Sequence, residues 1–109
     1  MKSVKARIKW LSPEDGGRRQ APSGPTYSTV AKFEDLQDKW PEEAWSIVAE
    51  FLDAGDEPLS VFANVRLLAP DGPSSLLRPG SRLELFEGRQ KVADVTVLSD
   101  TEVKRLKLQ

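Results

Sequence analysis

The residues best suited to chemistry in this sequence are glycines and cations close to its start. Gly16-Gly17-Arg18-Arg19 joins two residues that let a backbone approach a ligand closely to two guanidinium groups that bind phosphate oxygens in pairs. Lys5, Arg7 and Lys9 precede the loop at every second position, so an extended chain sets all three on one face. Seven residues, Lys5, Arg7, Lys9, Gly16, Gly17, Arg18 and Arg19, thus form a candidate surface for a phosphate backbone or for a protein partner. The same loop also has a purely structural reading. Glycines there would serve turn shape, and Arg18 or Arg19 would answer Glu14 or Asp15.

Other chemistries are poorly provided for. The 109 residues include no histidine and no cysteine, which removes the usual general base, the thiolate nucleophile and the common nitrogen and sulfur metal ligands. No Gly-x-x-x-x-Gly-Lys-Ser/Thr run occurs, so no nucleotide-binding site is expected. Aspartates and glutamates lie in polar stretches without a cofactor cradle, and the expectation is a protein that is not an enzyme and has no cofactor or metal.

Charge is distributed unevenly. Sixteen basic against seventeen acidic residues give a net charge of −1, yet Met1 to Arg19 carries +4 and Glu34 to Glu57 carries −8. Such a chain folds either into two solvated surfaces that neutralise each other or into a bipolar domain whose acidic side steers a basic protein. Within the acidic stretch, Trp40 beside Pro41, flanked by Glu42 and Glu43, is a candidate exposed contact for a protein partner.

These residues need elements to position them. Val4, Ala6, Ile8 and Trp10 alternate with the three cations and predict a half-buried antiparallel strand. A Gly- and Pro-rich loop follows from Ser12 to Thr26, then a strand from Tyr27 to Phe33 and a polar loop from Glu34 to Glu43. Ala44 to Leu52 fits both periods, and its β-branched and aromatic content favours strand. Leu59 to Leu68 is a further strand, with Val61, Ala63, Val65 and Leu67 opposite Asn64 and Arg66. Arg82 to Phe86 and Lys91 to Leu98 form a hairpin about Glu87-Gly88-Arg89. Six short strands and no long helix predict an all-β barrel or sandwich. Residues 1–99 make up that domain. Residues 100–109 form a short tail in which Ser99 and Glu102 have capping-box spacing.

The run Val4 to Arg19, an alternating strand ending in Leu11-Ser12 and leading through Glu14-Asp15 into Gly16-Gly17-Arg18, resembles the opening of the third, C-terminal domain of translation elongation factor Tu. Leu83 to Leu98, with Glu87-Gly88-Arg89 and a valine-rich return, resembles that domain's closing hairpin. The resemblance implies a six-stranded antiparallel β-barrel, here as a stand-alone protein without the GTPase domain. It also implies contacts of the family's two kinds, with protein partners and with the tRNA backbone, the latter falling on Arg18 and Arg19. Val92-Ala93-Asp94-Val95 replaces the small glycines that the family places close to RNA, and it sets bulk and a carboxylate there.

The expectation is therefore a non-catalytic, cytoplasmic interaction module with an unidentified protein partner. The alternative is a translation-linked binder of tRNA or other RNA, and a third possibility is a barrel with some other ligand. No stretch approaches the roughly 18 apolar residues of a membrane span, so no membrane partner is expected.

Overall fold

A computed structural model describes residues 3–18 and 22–108. Its strands are β1 (Val4–Trp10), β2 (Thr26–Phe33), β3 (Trp45–Ala54), β4 (Ser60–Leu67), β5 (Arg82–Glu87) and β6 (Gln90–Val97), followed by one short helix, α1 (Asp100–Arg105). The strands hydrogen-bond in the order β1-β4-β3-β2-β5-β6 and close, every neighbouring pair antiparallel. The expected six-stranded antiparallel barrel is the fold. Strand ends fall within two residues of those read from the sequence, and the ambiguous run after Ala44 is strand because β3 is paired on both sides, to β2 and to β4.

The interior is filled by alternating residues, with Ile8, Ile47, Val65, Leu83, Leu85, Val95 and Val97 fully buried. A six-stranded barrel is narrow, so its large side chains need small ones opposite. Register supplies them: Trp10 lies across from Ala93, Trp45 from Ala31, and Phe51 from Ala63. At one end Trp10 meets Tyr27 edge-on at 5.6 Å and Phe51 at 6.3 Å. At the other end Leu76 and Leu77, from the β4–β5 connection, are buried in the same core, and Trp45 packs against it.

The tail is helical for reasons confined to its two ends. Glu102 N–H donates to Ser99 Oγ and Ser99 N–H donates to Glu102 Oε1, a capping box. Lys107 takes a left-handed φ of 59°, and the amides of Lys107 and Leu108 donate back to the carbonyls of Lys104 and Val103, which satisfies the helix's last acceptors.

Outward-facing residues divide the wall into two halves. Across β1, β6 and β5 run Lys5, Arg7, Lys9, Asp94, Lys91, Glu84 and Arg82. Across β4, β3 and β2 run Asn64, Arg66, Ser46, Val48, Glu50, Thr26, Ser28 and Val30.

Candidate functional site

The Gly16-Gly17 loop is built by its own backbone. Ser12 caps the 3₁₀ turn Pro13–Asp15 by accepting from Asp15 N–H at 3.3 Å, and Gly16 ends the turn with φ 89°, in the left-handed region that glycine adopts without strain. A Cβ on Gly17 would stand 2.1 Å from the Leu11 carbonyl oxygen, so no other residue fits there. Both glycine amides are engaged, Gly16 N–H to Pro13 O and Gly17 N–H to Ser12 O. It is their carbonyls that face outward, where Gln90 Nε2 donates to both. The pair therefore presents no amide cradle for an anion.

Arg18 is held in place. Its guanidinium donates to Glu87 and lies over the Tyr27 ring at 5.8 Å, while Tyr27 Oη donates to the same carboxylate. This cluster fastens the loop to the β5–β6 hairpin. The hydrogen bond to Glu87 raises the Arg18 pKa, and burial, reinforced by the bond to Glu87, pushes Tyr27 up to about 12. Tyr27 thus stays protonated as a donor. Arg19 lies outside the described residues.

The β1 cations share one face, as their spacing requires, and each has a partner. Lys5 Nζ donates to Asn64 Oδ1 at 2.9 Å. Arg7 makes a two-pronged contact with Asp56 at 3.0 and 2.9 Å and reaches Glu57 at 4.0 Å, while Lys9 meets Glu57 at 3.4 Å. Asp56 and Glu57 sit in the β3–β4 turn, which folds back over β1. The Arg7 hydrogen bond holds the Asp56 carboxyl below the usual aspartate range, with the Arg105 charge adding to it, and raises Arg7 itself. The basic start and part of the acidic middle therefore neutralise each other, as the first of the two charge readings had it.

Beneath Arg7 lies Phe62. It faces outward from β4 directly opposite Arg7, whose guanidinium is 5.5 Å from its ring, and yet it is only 5% exposed. The ion pairs continue round this half: Lys32–Glu84 at 3.7 Å, Lys91–Glu84 at 2.6 Å and Lys91–Asp94 at 2.9 Å. Partial burial works against the Lys91 ammonium, but Glu84 and Asp94 outweigh it and raise its pKa. A groove of about 280 Å³ next to this network is lined by Lys32, Glu34, Gln37, Arg82, Glu84 and Asp94, charges of both signs.

The acidic stretch is different. Asp35 pairs with Arg78 at 3.0 Å and Glu43 with Lys39 at 3.6 Å. Glu34, Asp38, Glu42, Glu50 and Asp53 are exposed and make no ion pair among the described residues. Trp40 is half-buried rather than fully exposed, its ring tilted 35° against that of Phe86 with centroids 4.9 Å apart. Phe86 faces outward because β5 alternates, with Leu83 and Leu85 turned into the core, and it lies across from the outward Val30 of β2.

Among the described residues, no group of three or more acidic side chains is placed to hold a metal ion, and no helix is long and apolar enough to cross a membrane. Searches against protein-family models and curated proteins find no match for this chain, and a closed six-stranded barrel does not by itself assign a family.

Proposed function

We propose that this chain is a non-catalytic protein-interaction module, a β-barrel of the elongation factor Tu C-terminal kind, whose acidic side docks a partner with a basic surface. One observation carries this reading. Three of the cations that could have gripped RNA are tied to carboxylates, Arg7 and Lys9 to Asp56 and Glu57 and Arg18 to Glu87, whereas five exposed carboxylates from Glu34 to Asp53 make no ion pair among the described residues. A phosphate approaching Arg7 or Arg18 meets the field of the carboxylate already there and must displace it. A basic protein approaching Glu34, Asp38, Glu42, Glu50 and Asp53 displaces only water, and long-range attraction raises its encounter rate.

The test is affinity capture by the protein and by a variant carrying Glu34→Gln, Asp38→Asn, Glu42→Gln, Glu50→Gln and Asp53→Asn. A defined basic protein retained by the first and lost by the second supports the reading. Equal capture by both, or none, ends it. Titration of tRNA at low salt provides the competing outcome: saturable binding that disappears with Arg7→Ala or Arg18→Ala would favour the RNA alternative.

A further inference from the structure

A closed barrel has no strand edge to offer, so a partner cannot bind this domain by adding a strand and has to be held by side chains on its wall. One line on that wall is apolar. Leu68, 51% exposed, continues the β4 ladder by donating its amide to Ser46 O. In register, Ser46 lies across from Val30, and Val30 across from Phe86, on which Trp40 stacks. Leu68, Val30, Phe86 and Trp40 therefore form a stripe that crosses four strands, interrupted only by a serine, and the last three are half-buried side chains on the outside of a barrel whose core lies elsewhere.

Length and charge identify the occupant. Three inter-strand steps span about 14 Å, close to the roughly 15 Å that separate residues i and i+10 on a helix, so one helix can set successive apolar anchors from Leu68 to Phe86. Asp38 and Glu42 lie two residues either side of Trp40, and Asp71 follows Leu68 by three; all three are exposed and make no ion pair among the described residues. Nearby lysines are already engaged, Lys32 by Glu84, Lys91 by Glu84 and Asp94, and Lys39 by Glu43.

We infer that the Leu68–Val30–Phe86–Trp40 stripe is the docking surface for an amphipathic helix of the partner protein, with apolar residues at i, i+3 or i+4, i+7, and i+10 or i+11 and with lysine or arginine along its flanks. This rests on the interaction-module reading above and names the surface and the form of the partner.

The probe is a pair of synthetic helical peptides of about 14 residues, roughly 20 Å long. Both have leucines at the anchor spacing. One is flanked by lysines and the other by glutamates. Each is titrated into the full chain and followed by amide and indole NMR shifts. The lysine peptide is expected to move the signals of Val30, Ser46, Leu68, Phe86 and the Trp40 indole, and the glutamate peptide to leave them in place. Leu68→Lys, at an exposed position, and the milder Val30→Thr are each expected to weaken lysine-peptide binding, the first about tenfold or more. Amide dispersion like that of the parent protein verifies that both variants are folded.

Lysine-peptide binding that is unaffected by Leu68→Lys and Val30→Thr but lost with Glu50→Gln and Asp53→Asn overturns the stripe while leaving the acidic module standing. Absence of binding by both peptides overturns the stripe as well, and the capture experiment then decides the broader reading separately. Self-association that Leu68→Lys abolishes assigns the surface to a second copy of the chain and also overturns the inference.

Discussion

The two halves of the barrel wall are built on different physics. Across β1, β6 and β5 the outward side chains are long and charged, and opposite charges answer them: Arg7 with Asp56, Lys9 with Glu57, and Lys91 with Glu84 and Asp94. Across β4, β3 and β2, apart from charged residues such as Arg66 and Glu50, most are short and uncharged, Ser46, Val48, Ser28, Thr26 and Val30 among them, and an apolar line leads from Leu68 to Trp40. Cations alone do not make a nucleic-acid surface; what matters is whether their charge is already answered. The half of the wall that looks functional in one dimension has Arg7, Lys9 and Lys91 answered by carboxylates in three, and the half that looks plain carries the apolar line.

The largest contrast should appear in stability. Phe62, a large apolar side chain on β4 at the seam between the halves, is covered by Arg7 of the charged half. Phe62→Ala deletes a buried ring and leaves a space under a guanidinium held in place by Asp56, so about 3 kcal/mol or more of unfolding free energy should be lost. Val48→Ala, at a half-buried outward position on β3 away from the matched charges, should cost about 1 kcal/mol or less. Urea unfolding of both variants checks the comparison, and equal losses would break it.

Much of this architecture was legible in the sequence. The alternation of Val4, Ala6, Ile8 and Trp10 placed the three cations on one face, and Ser99 with Glu102 marked the start of the helix, because both signals are local. The pairing of Arg7 with Asp56 was not legible, since it depends on β1 lying antiparallel to β4 and on the β3–β4 turn folding back across it, 49 residues away in the chain. Phe62 shares the outward face of Asn64 and Arg66, as the alternation requires, but nothing local shows what covers it. The half-burial of Trp40 was hidden for the same reason: its neighbours are polar, and its partner Phe86 lies 46 residues further along the chain, on β5. The alternating segments yielded the fold, and the site depended on contacts between segments.

A second, spectroscopic test concerns how the charged half is fastened to the loop. Tyr27 is the sole tyrosine of the chain, so tyrosinate absorbance reports it directly. Its midpoint should lie near pH 12, against an ordinary value of 10.0, because burial and the hydrogen bond to Glu87 both disfavour the phenolate. With the folded value raised, the stability contributed by the protonated phenol is complete below pH 10 and is lost as pH rises towards 12. Glu87→Gln removes the accepting charge and should move the midpoint down. A midpoint that stays in place would mean that burial alone sets it, and that the Arg18–Glu87–Tyr27 cluster does not tie the Gly16-Gly17 loop to the hairpin.

The smallest effect is expected at acid pH, where Asp56 tests whether the matched charges contribute to the fold or merely decorate it. Its carboxyl is held below the ordinary 3.8 by the Arg7 hydrogen bond first and then by the charges of Arg7 and Arg105. A depressed folded value means that the ion pair's contribution is present above the ordinary aspartate range and disappears as pH falls through the depressed value. Asp56→Asn should therefore lower stability at neutral pH, and the gap to the parent protein should close on acidification, when Asp56 is protonated in both folded and unfolded chains. Added salt should narrow the neutral-pH gap too, since Asp56 is exposed. Val48→Ala, which involves no titratable group, should show a deficit that this acid titration leaves unchanged. If the Asp56→Asn deficit is equally flat with pH, the ion pair is not its cause, and the charged half of the wall owes its stability to the ring beneath Arg7.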